Sequence, residues 1–225
     1  MMSYAKTYYL NFASLRSEEA IEKYIHAVTP ARRARIETTK RPETKASLLG
    51  AGLLLKAVLK KEYGISDFET ETNEFGKPFI KGSEDIRFNL SHSGDVAVCT
   101  VSDTDVGIDI ENVSAPHDTM AVANKFFSRN EYAAMMLSPN PNEAFCRLWT
   151  LRESYVKMRG KGFAIGLSTM RCDFHRGVCF MYENHILQED AFFREIKDIR
   201  GYRVSVCTKG ECEHSVEEIK ISDIT

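Results

Sequence analysis

Two short acidic segments carry residue types able to do phosphate chemistry. They are Gly107-Ile108-Asp109-Ile110-Glu111 and, about forty residues on, Trp149-Thr150-Leu151-Arg152-Glu153-Ser154-Tyr155-Val156-Lys157. Side chains alternate faces along an extended strand, so Asp109 and Glu111 point one way while Ile108 and Ile110 point into a core. Two carboxylates about 7 Å apart on one strand face can straddle a hard, oxygen-seeking cation such as Mg2+. Gly107 shares that face, and its missing side chain is expected to leave room beside the metal for a phosphate group. The second segment predicts a helix from about Glu143 to Arg159, ended by Gly160, with Phe145, Leu148, Trp149 and Val156 as its buried stripe. Glu153 and Lys157, four apart, share a face, with Arg152 adjacent. Taken singly, each segment has a plainer reading. An exposed Glu-Lys helix pair is worth about 0.3 to 0.5 kcal/mol, and Asp-x-Glu in an apolar strand is a common solubility device on sheet edges.

The elements that must position these residues form two similar halves. In the first, Thr29 and Pro30 start a helix as N-cap and N1, and a long helix follows from about Glu43 to Tyr63, ended by Gly64. In the second, Ser128 caps a short helix and the Trp149 helix follows. Strands are predicted at Tyr8 to Phe12, Phe68 to Thr72, Ile86 to Leu90 and Val96 to Val101, with Ser93-Gly94-Asp95 as the turn between the last two. Val106 to Glu111, Thr169 to Phe174, Val178 to Tyr182 and Tyr202 to Cys207 are the second set. The polar connector Ser102 to Asp105 divides the halves as 1–104 and 105–225. Strands, then helices, then strands, twice over, predict an α+β fold with largely antiparallel pairing.

Composition narrows the function classes. The chain has 225 residues, 43% of them hydrophobic and 28% charged, with a net charge of -2. These are globular values without the broad basic field of a nucleic-acid binder, so any anion site must be local. The longest apolar run, around Leu53 to Leu55, is interrupted by Lys56, which excludes a transmembrane helix, and Tyr4 to Phe12 lacks the apolar core and cleavage site of a signal peptide. A cytoplasmic monomer is expected. Six cysteines (Cys99, Cys146, Cys172, Cys179, Cys207 and Cys212) show no Cys-x-x-Cys pairing, so they read as reduced and mostly buried rather than as zinc ligands.

Further motifs stand in order with these two. Pro30-Ala31-Arg32-Arg33-Ala34-Arg35, Leu48-Leu49-Gly50, Phe75-Gly76-Lys77-Pro78, Phe88-Asn89-Leu90-Ser91-His92-Ser93-Gly94, Phe126-Phe127-Ser128-Arg129-Asn130-Glu131-Tyr132 and Gly160-Lys161-Gly162 complete a set spanning about residues 29 to 167. In that set the chain resembles the single-chain, surfactin-type 4'-phosphopantetheinyl transferases that activate peptide synthetases. The resemblance implies a pseudo-dimer of two α+β halves with the active site in the cleft between them. It implies an enzyme that moves 4'-phosphopantetheine from coenzyme A to a serine hydroxyl of an apo acyl or peptidyl carrier protein, with Mg2+, releasing adenosine 3',5'-bisphosphate.

Roles follow from the same resemblance. Asp109 and Glu111 would hold Mg2+, Glu153 would be a third ligand or the general base, and Lys157 would stabilise the attacked and departing phosphates. Residues 105–225 would thus carry the metal site and catalytic helix. Residues 1–104 would bind the 3'-phosphate through Arg32, Arg35 and His92, with Ser47 and Ser91 as lighter donors, and the adenine through Phe75, Gly76, Lys77 and Pro78. The family often has lysine where this chain has Arg32 and Arg35, and arginine adds a bidentate fork. The plain readings are a solvated helix face for Arg32, Arg33 and Arg35, a turn residue for His92, a turn before a strand for Phe75 to Pro78, and helix surface for Arg152. An acidic carrier would dock on residues 113–127 through Met120, Val122 and Lys125, where the plain reading of Met120 and Val122 is helix core. Two rival functions remain: a metal-dependent nucleotide or phosphodiester hydrolase, and a coenzyme A binding module without catalysis.

Overall fold

The computed structural model describes residues 2–224 apart from 84, 116 and 117 and the side chain of Phe163. The N-terminal half runs β1 (Ser3–Asn11), α1 (Glu18–Tyr24), α2 (Pro30–Thr38), α3 (Pro42–Tyr63), β2 (Thr70–Thr72), β3 (Pro78–Ile80), β4 (Arg87–Ser93) and β5 (Val96–Ser102). The C-terminal half runs β6 (Val106–Asn112), α4 (Thr119–Phe126), α5 (Arg129–Met136), α6 (Pro141–Arg159), β7 (Met170–His175), β8 (Val178–Glu183), β9 (Ile186–Leu187), β10 (Ala191–Ile196), β11 (Tyr202–Lys209) and β12 (Cys212–Glu218). The architecture is mixed α+β, and each half lays one long helix on one sheet.

In the first half, α3 is apolar on nearly every side from Ala46 to Leu55, which suits a helix enclosed by its neighbours. Leu49, Leu53, Val58 and Leu59 pack with Leu10, Cys99 and Val101 of the sheet ordered β12-β1-β5-β4 and with Phe12 just after β1. Each such side chain contributes about 1.5 to 3 kcal/mol by leaving water. In the second half, α6 packs on the antiparallel sheet β10-β11-β6, and its other side meets β7 through Met170 and Cys172. A third apolar layer, with Val96 and Val98 from β5 against Ile108, Ile110, Val204 and Val206, joins the two halves. All six cysteines are free, and all but Cys212 are buried. Among the described residues no helix is long and apolar enough to cross a membrane.

Several boundaries differ from expectation. The first strand begins at Ser3 rather than Tyr8, and the one expected over Phe68 to Thr72 shrinks to Thr70–Thr72. β4 continues through Ser93, so the hairpin turn is Gly94-Asp95 alone. The expected second half does not keep its last strand. β12 pairs parallel with β1, from Ser3 with Cys212 to Tyr9 with Glu218. β1 would otherwise present a bare row of backbone donors and acceptors at the sheet edge, and β12 covers it.

Candidate active site in the cleft between the halves

The two halves meet where β4 lies beside β6, and side chains make the join. Asn89, Ser91 and Ser93 alternate along β4 and therefore project from one face. Asn89 Oδ1 accepts the Ile108 amide at 2.9 Å, Ser91 Oγ donates to Asp109 Oδ1 at 2.8 Å, and Ser93 Oγ donates to Glu111 Oε2 at 3.0 Å. Ser93 Oγ also accepts the Asn112 amide at 3.0 Å. The acidic strand is thus registered against the first half by a polar ladder.

α6 crosses β6 on the face carrying Gly107, Asp109 and Glu111. The room at Gly107 serves this crossing and not a phosphate, contrary to the sequence expectation. A Cβ there would stand 2.0 Å from Ser154 O and 2.3 Å from Met158 N, so helix backbone already fills the space. That contact sets Glu153 and Lys157 over the carboxylates. Lys157 Nζ lies 2.6 Å from Asp109 Oδ1 and donates to Ser91 Oγ at 3.0 Å. Asp109 is 5% exposed, and its Oδ2 is buried with no hydrogen-bond partner. Ion pairs hold the helix at both ends: Arg147 to Glu195 with two contacts of 2.6 Å, and Arg159 to Asp190 at 2.5 and 2.8 Å.

The electrostatics are those of crowded negative charge. Burial, then the Asp109 carboxylate, pushes Glu111 up to about 7. Glu153 is raised by burial and by Asp109, against the opposing pull of Lys157. Among the described residues no three His, Cys, Asp or Glu side chains stand close enough together to hold a metal as they are, and Lys157 Nζ donates to Asp109 Oδ1 at 2.6 Å.

The predicted coenzyme residues fall on the first half's side of this cleft. Phe75, Gly76, Lys77 and Pro78 line one wall of a cavity of about 220 Å³ whose other wall includes Glu153 and Lys157. The pKa of His92 is lowered by desolvation first, then by Lys157 and Arg32, with Arg35 also contributing against the opposing pull of Asp109, so these cations lie within electrostatic reach of its ring. Arg32 Nη1 donates to Leu48 O at 3.2 Å, and its stem lies across Gly52, where a Cβ would be 2.4 Å from Arg32 Cδ. Arg35 is exposed. Ser47 is 7% exposed and spends its hydroxyl on Thr44 O at 3.0 Å. Lys77 points its ammonium at two backbone carbonyls, Val106 O and Met158 O. In the 113–127 segment, 116 and 117 lie outside the described residues; Met120 on α4 is 45% exposed, Lys125 lies over the Phe126 ring, and Val122 packs against the second half's core.

Arg152 is no surface residue. It is fully buried, pairs with Glu131 at 2.6 Å and lies over the Phe127 ring. Glu131 also accepts the Ser128 amide at 2.8 Å and the Cys172 amide at 2.8 Å. Burial alone would raise Glu131, but Arg152 and the hydrogen bonds outweigh it and hold the carboxyl below its usual range. This network ties the start of α5 to α6 and β7 beside Glu153. Sequence reasoning gave Glu131 no role, although Ser128 with Glu131 three residues on is the pattern of a capping box, which the structure contains. It missed Asn89 and Ser93 as well; only their two-residue spacing with Ser91 could have found them.

Known proteins resemble this chain over the elements that build the cleft. Residues 105–207, from β6 to β11, match the family model described as the 4'-phosphopantetheinyl transferase superfamily. The 4'-phosphopantetheinyl transferase Sfp of Bacillus subtilis (strain 168) is 27% identical over 195 residues, 85% of this chain and 86% of that protein. The transferase psf-1 of Bacillus pumilus is 38% identical over 133 residues, 56% of this chain and 55% of its own, and gsp of Aneurinibacillus migulanus is 36% identical over 138, 60% and 56%. Residues 105–207 thus match the 4'-phosphopantetheinyl transferase superfamily, and over most of its length the chain is similar to 4'-phosphopantetheinyl transferases.

Proposed function

We infer that this chain is a 4'-phosphopantetheinyl transferase: it moves the 4'-phosphopantetheine group of coenzyme A onto a serine hydroxyl of an apo carrier protein and releases adenosine 3',5'-bisphosphate. The observation that carries the reading is the crossing of α6 over β6. It sets a lysine and a glutamate of one element against two carboxylates of another, beside a cavity lined by the Phe75 to Pro78 loop.

The donor set fits Mg2+. Asp109, Glu111 and Glu153 offer only oxygen, Asp109 Oδ2 is a buried acceptor without a partner, and burial followed by the Asp109 charge raises both Glu111 and Glu153, as happens where a cation belongs. Asp109 and Glu111 would hold the ion, with Glu153 as a third ligand or as the base. When bound, the ion supplies charge neutralisation at the diphosphate.

The remaining work falls to side chains. Glu153, raised above its ordinary range, is suited to take the proton from the attacking serine hydroxyl. Lys157 is a fixed cation at the mouth of the cleft and stabilises the attacked phosphate and the departing one. Arg32, Arg35 and His92 together would take the 3'-phosphate, and the Phe75 to Pro78 loop would receive the adenine. The carrier would dock on 113–127, where Met120 and Lys125 offer an apolar and a basic contact.

Incubation with coenzyme A, Mg2+ and a panel of apo-carriers, read by intact mass, tests the reading. One added phosphopantetheine per carrier is expected, whereas breakdown of coenzyme A without a carrier would assign a hydrolase. Glu153→Gln separates the two roles of that residue. As a base it loses turnover by about 10²- to 10⁴-fold with coenzyme binding kept; as a ligand it loses metal and coenzyme binding in step with rate.

A further inference from the structure

The loop between β2 and β3 forms one wall of the cleft, yet much of what holds it belongs to the other half of the molecule. Asn73 Nδ2 donates to Gly160 O at 2.8 Å, and Lys77 Nζ donates to Met158 O and Val106 O, each at 3.1 Å. Met158 and Gly160 end α6, where the last carbonyls lack helical partners and the helix dipole favours a cation. Val106 opens β6, one residue before the glycine against which α6 packs.

The loop is also one unit within itself. Asn73 Oδ1 accepts the Phe75 amide at 3.0 Å and the Lys77 amide at 2.9 Å, and the Asn73 amide donates to Lys77 O at 3.0 Å. Gly160, at φ +65°, lets the loop and the end of α6 close together. A Cβ there would lie 2.9 Å from Lys77 Cδ and 3.6 Å from Asn73 Nδ2. At Gly162 an added Cβ would likewise lie 3.2 Å from Phe75 O. Burial lowers the Lys77 pKa, in keeping with an ammonium enclosed by protein and satisfied by carbonyls.

We propose that Asn73 and Lys77 are positioning residues: together they clamp the loop carrying Phe75 and Gly76 onto the end of α6 and so set its distance from Glu153 and Lys157. The proposal rests on the functional reading above and assigns Lys77 a different task from the coenzyme contact expected of it. Glu153 and Lys157 are held separately, by the Gly107 crossing and by the Arg147–Glu195 and Arg159–Asp190 ion pairs of α6. Loosening the clamp therefore weakens coenzyme A capture while leaving the transfer step largely in place.

The test joins amide exchange in the coenzyme-free protein to kinetics. Lys77→Met keeps the Asn73 acceptor, so a direct coenzyme contact predicts unchanged exchange at Phe75 and Lys77 (now Met), whereas a clamp predicts faster exchange there. The clamp further predicts a KM for coenzyme A raised about tenfold, the size of one lost hydrogen bond, with kcat within about threefold. Lys77→Arg, which retains two donors for the carbonyls, should recover most of that KM. Asn73→Ala should act on the same equilibrium, so the double variant falls short of the product of the single effects. Unchanged exchange in Lys77→Met, or fully multiplicative effects, overturns the clamp. Faster exchange in a protein that transfers no phosphopantetheine overturns the functional reading and leaves the clamp standing.

Discussion

Replacing Gly107 by alanine probes the contact on which the whole site depends. The added Cβ would stand 2.0 Å from Ser154 O, 2.3 Å from Met158 N and 2.9 Å from Lys157 C, and all three are backbone atoms that no rotamer change can move. Ordinary van der Waals contact begins near 3.4 Å, so the shortest approach falls about 1.4 Å short. α6 must therefore lift from β6 by about 1 Å, or β6 must bend, in a packed layer where such overpacking costs about 1 to 3 kcal/mol. Lifting the helix draws Lys157 away from Asp109, now 2.6 Å distant, and carries Glu153 with it. A misplacement of about 1 Å at reacting groups can cost about 10²-fold in rate. The assays are denaturant unfolding and the initial rate of carrier modification. Gly107→Ala should lose both stability and about two orders of magnitude in rate, the second even where the protein is fully folded. Unaltered stability and rate would refute the close crossing, and with it the geometry assigned to Glu153 and Lys157.

Other outcomes follow from the same geometry. Arg152→Met strands the buried Glu131 carboxylate and should cost about 3 to 5 kcal/mol in denaturant unfolding, and adding Glu131→Leu should restore much of the loss; a mild single variant would show the pair to be dispensable. Dephospho-coenzyme A, lacking only the 3'-phosphate, should bind more weakly than coenzyme A by about 1.5 to 3 kcal/mol for each charge-assisted hydrogen bond lost. In Arg32→Ala with His92→Ala the two ligands should become nearly equivalent by calorimetry, and a retained preference would place that phosphate elsewhere. Glu111 stands at about 7 in the folded chain against an ordinary 4.5, so between those values only the folded state keeps the proton. That group's contribution to stability is present below about pH 4.5 and is lost as pH rises through about 7 in metal-free protein, a slope Glu111→Gln should remove. Mg2+ competes with the same proton, so its affinity should fall about tenfold per pH unit below about 7; a flat profile would detach Glu111 from the ion.

Much of this site was legible because its residues obey short-range rules. Gly160 ends α6 in the left-handed conformation, Ser128 caps α5, and the alternation around Ile108 and Ile110 turns Asp109 and Glu111 toward one face. What escaped notice depends on partners distant in the chain. Gly107 reads equally well as room for a phosphate or for a helix, and only the packed backbone of α6 decides between them. Arg152 sits in a helix that could have exposed it; burial became possible because Glu131, twenty-one residues earlier, brings an opposite charge to the same layer. β12 carries Glu213, His214, Glu217 and Glu218 and has little apolar pattern, so its place beside β1 comes from a vacant sheet edge rather than from its own composition. Lys77 reads from the sequence as part of the adenine-lining loop, but its ammonium goes to carbonyl partners that lie 29 and 81 residues away.

The most direct measurement is a paired product analysis with and without Asp109. Wild-type chain, coenzyme A, Mg2+ and an apo-carrier should yield holo-carrier and adenosine 3',5'-bisphosphate in equal amounts, with neither formed when the carrier serine is replaced by alanine. Asp109→Ala should form neither product even under conditions where it is fully folded, although loss of the buried partner of Lys157 and Ser91 lowers its stability. Near-normal transfer by folded Asp109→Ala, or adenosine bisphosphate released without holo-carrier, would contradict the account.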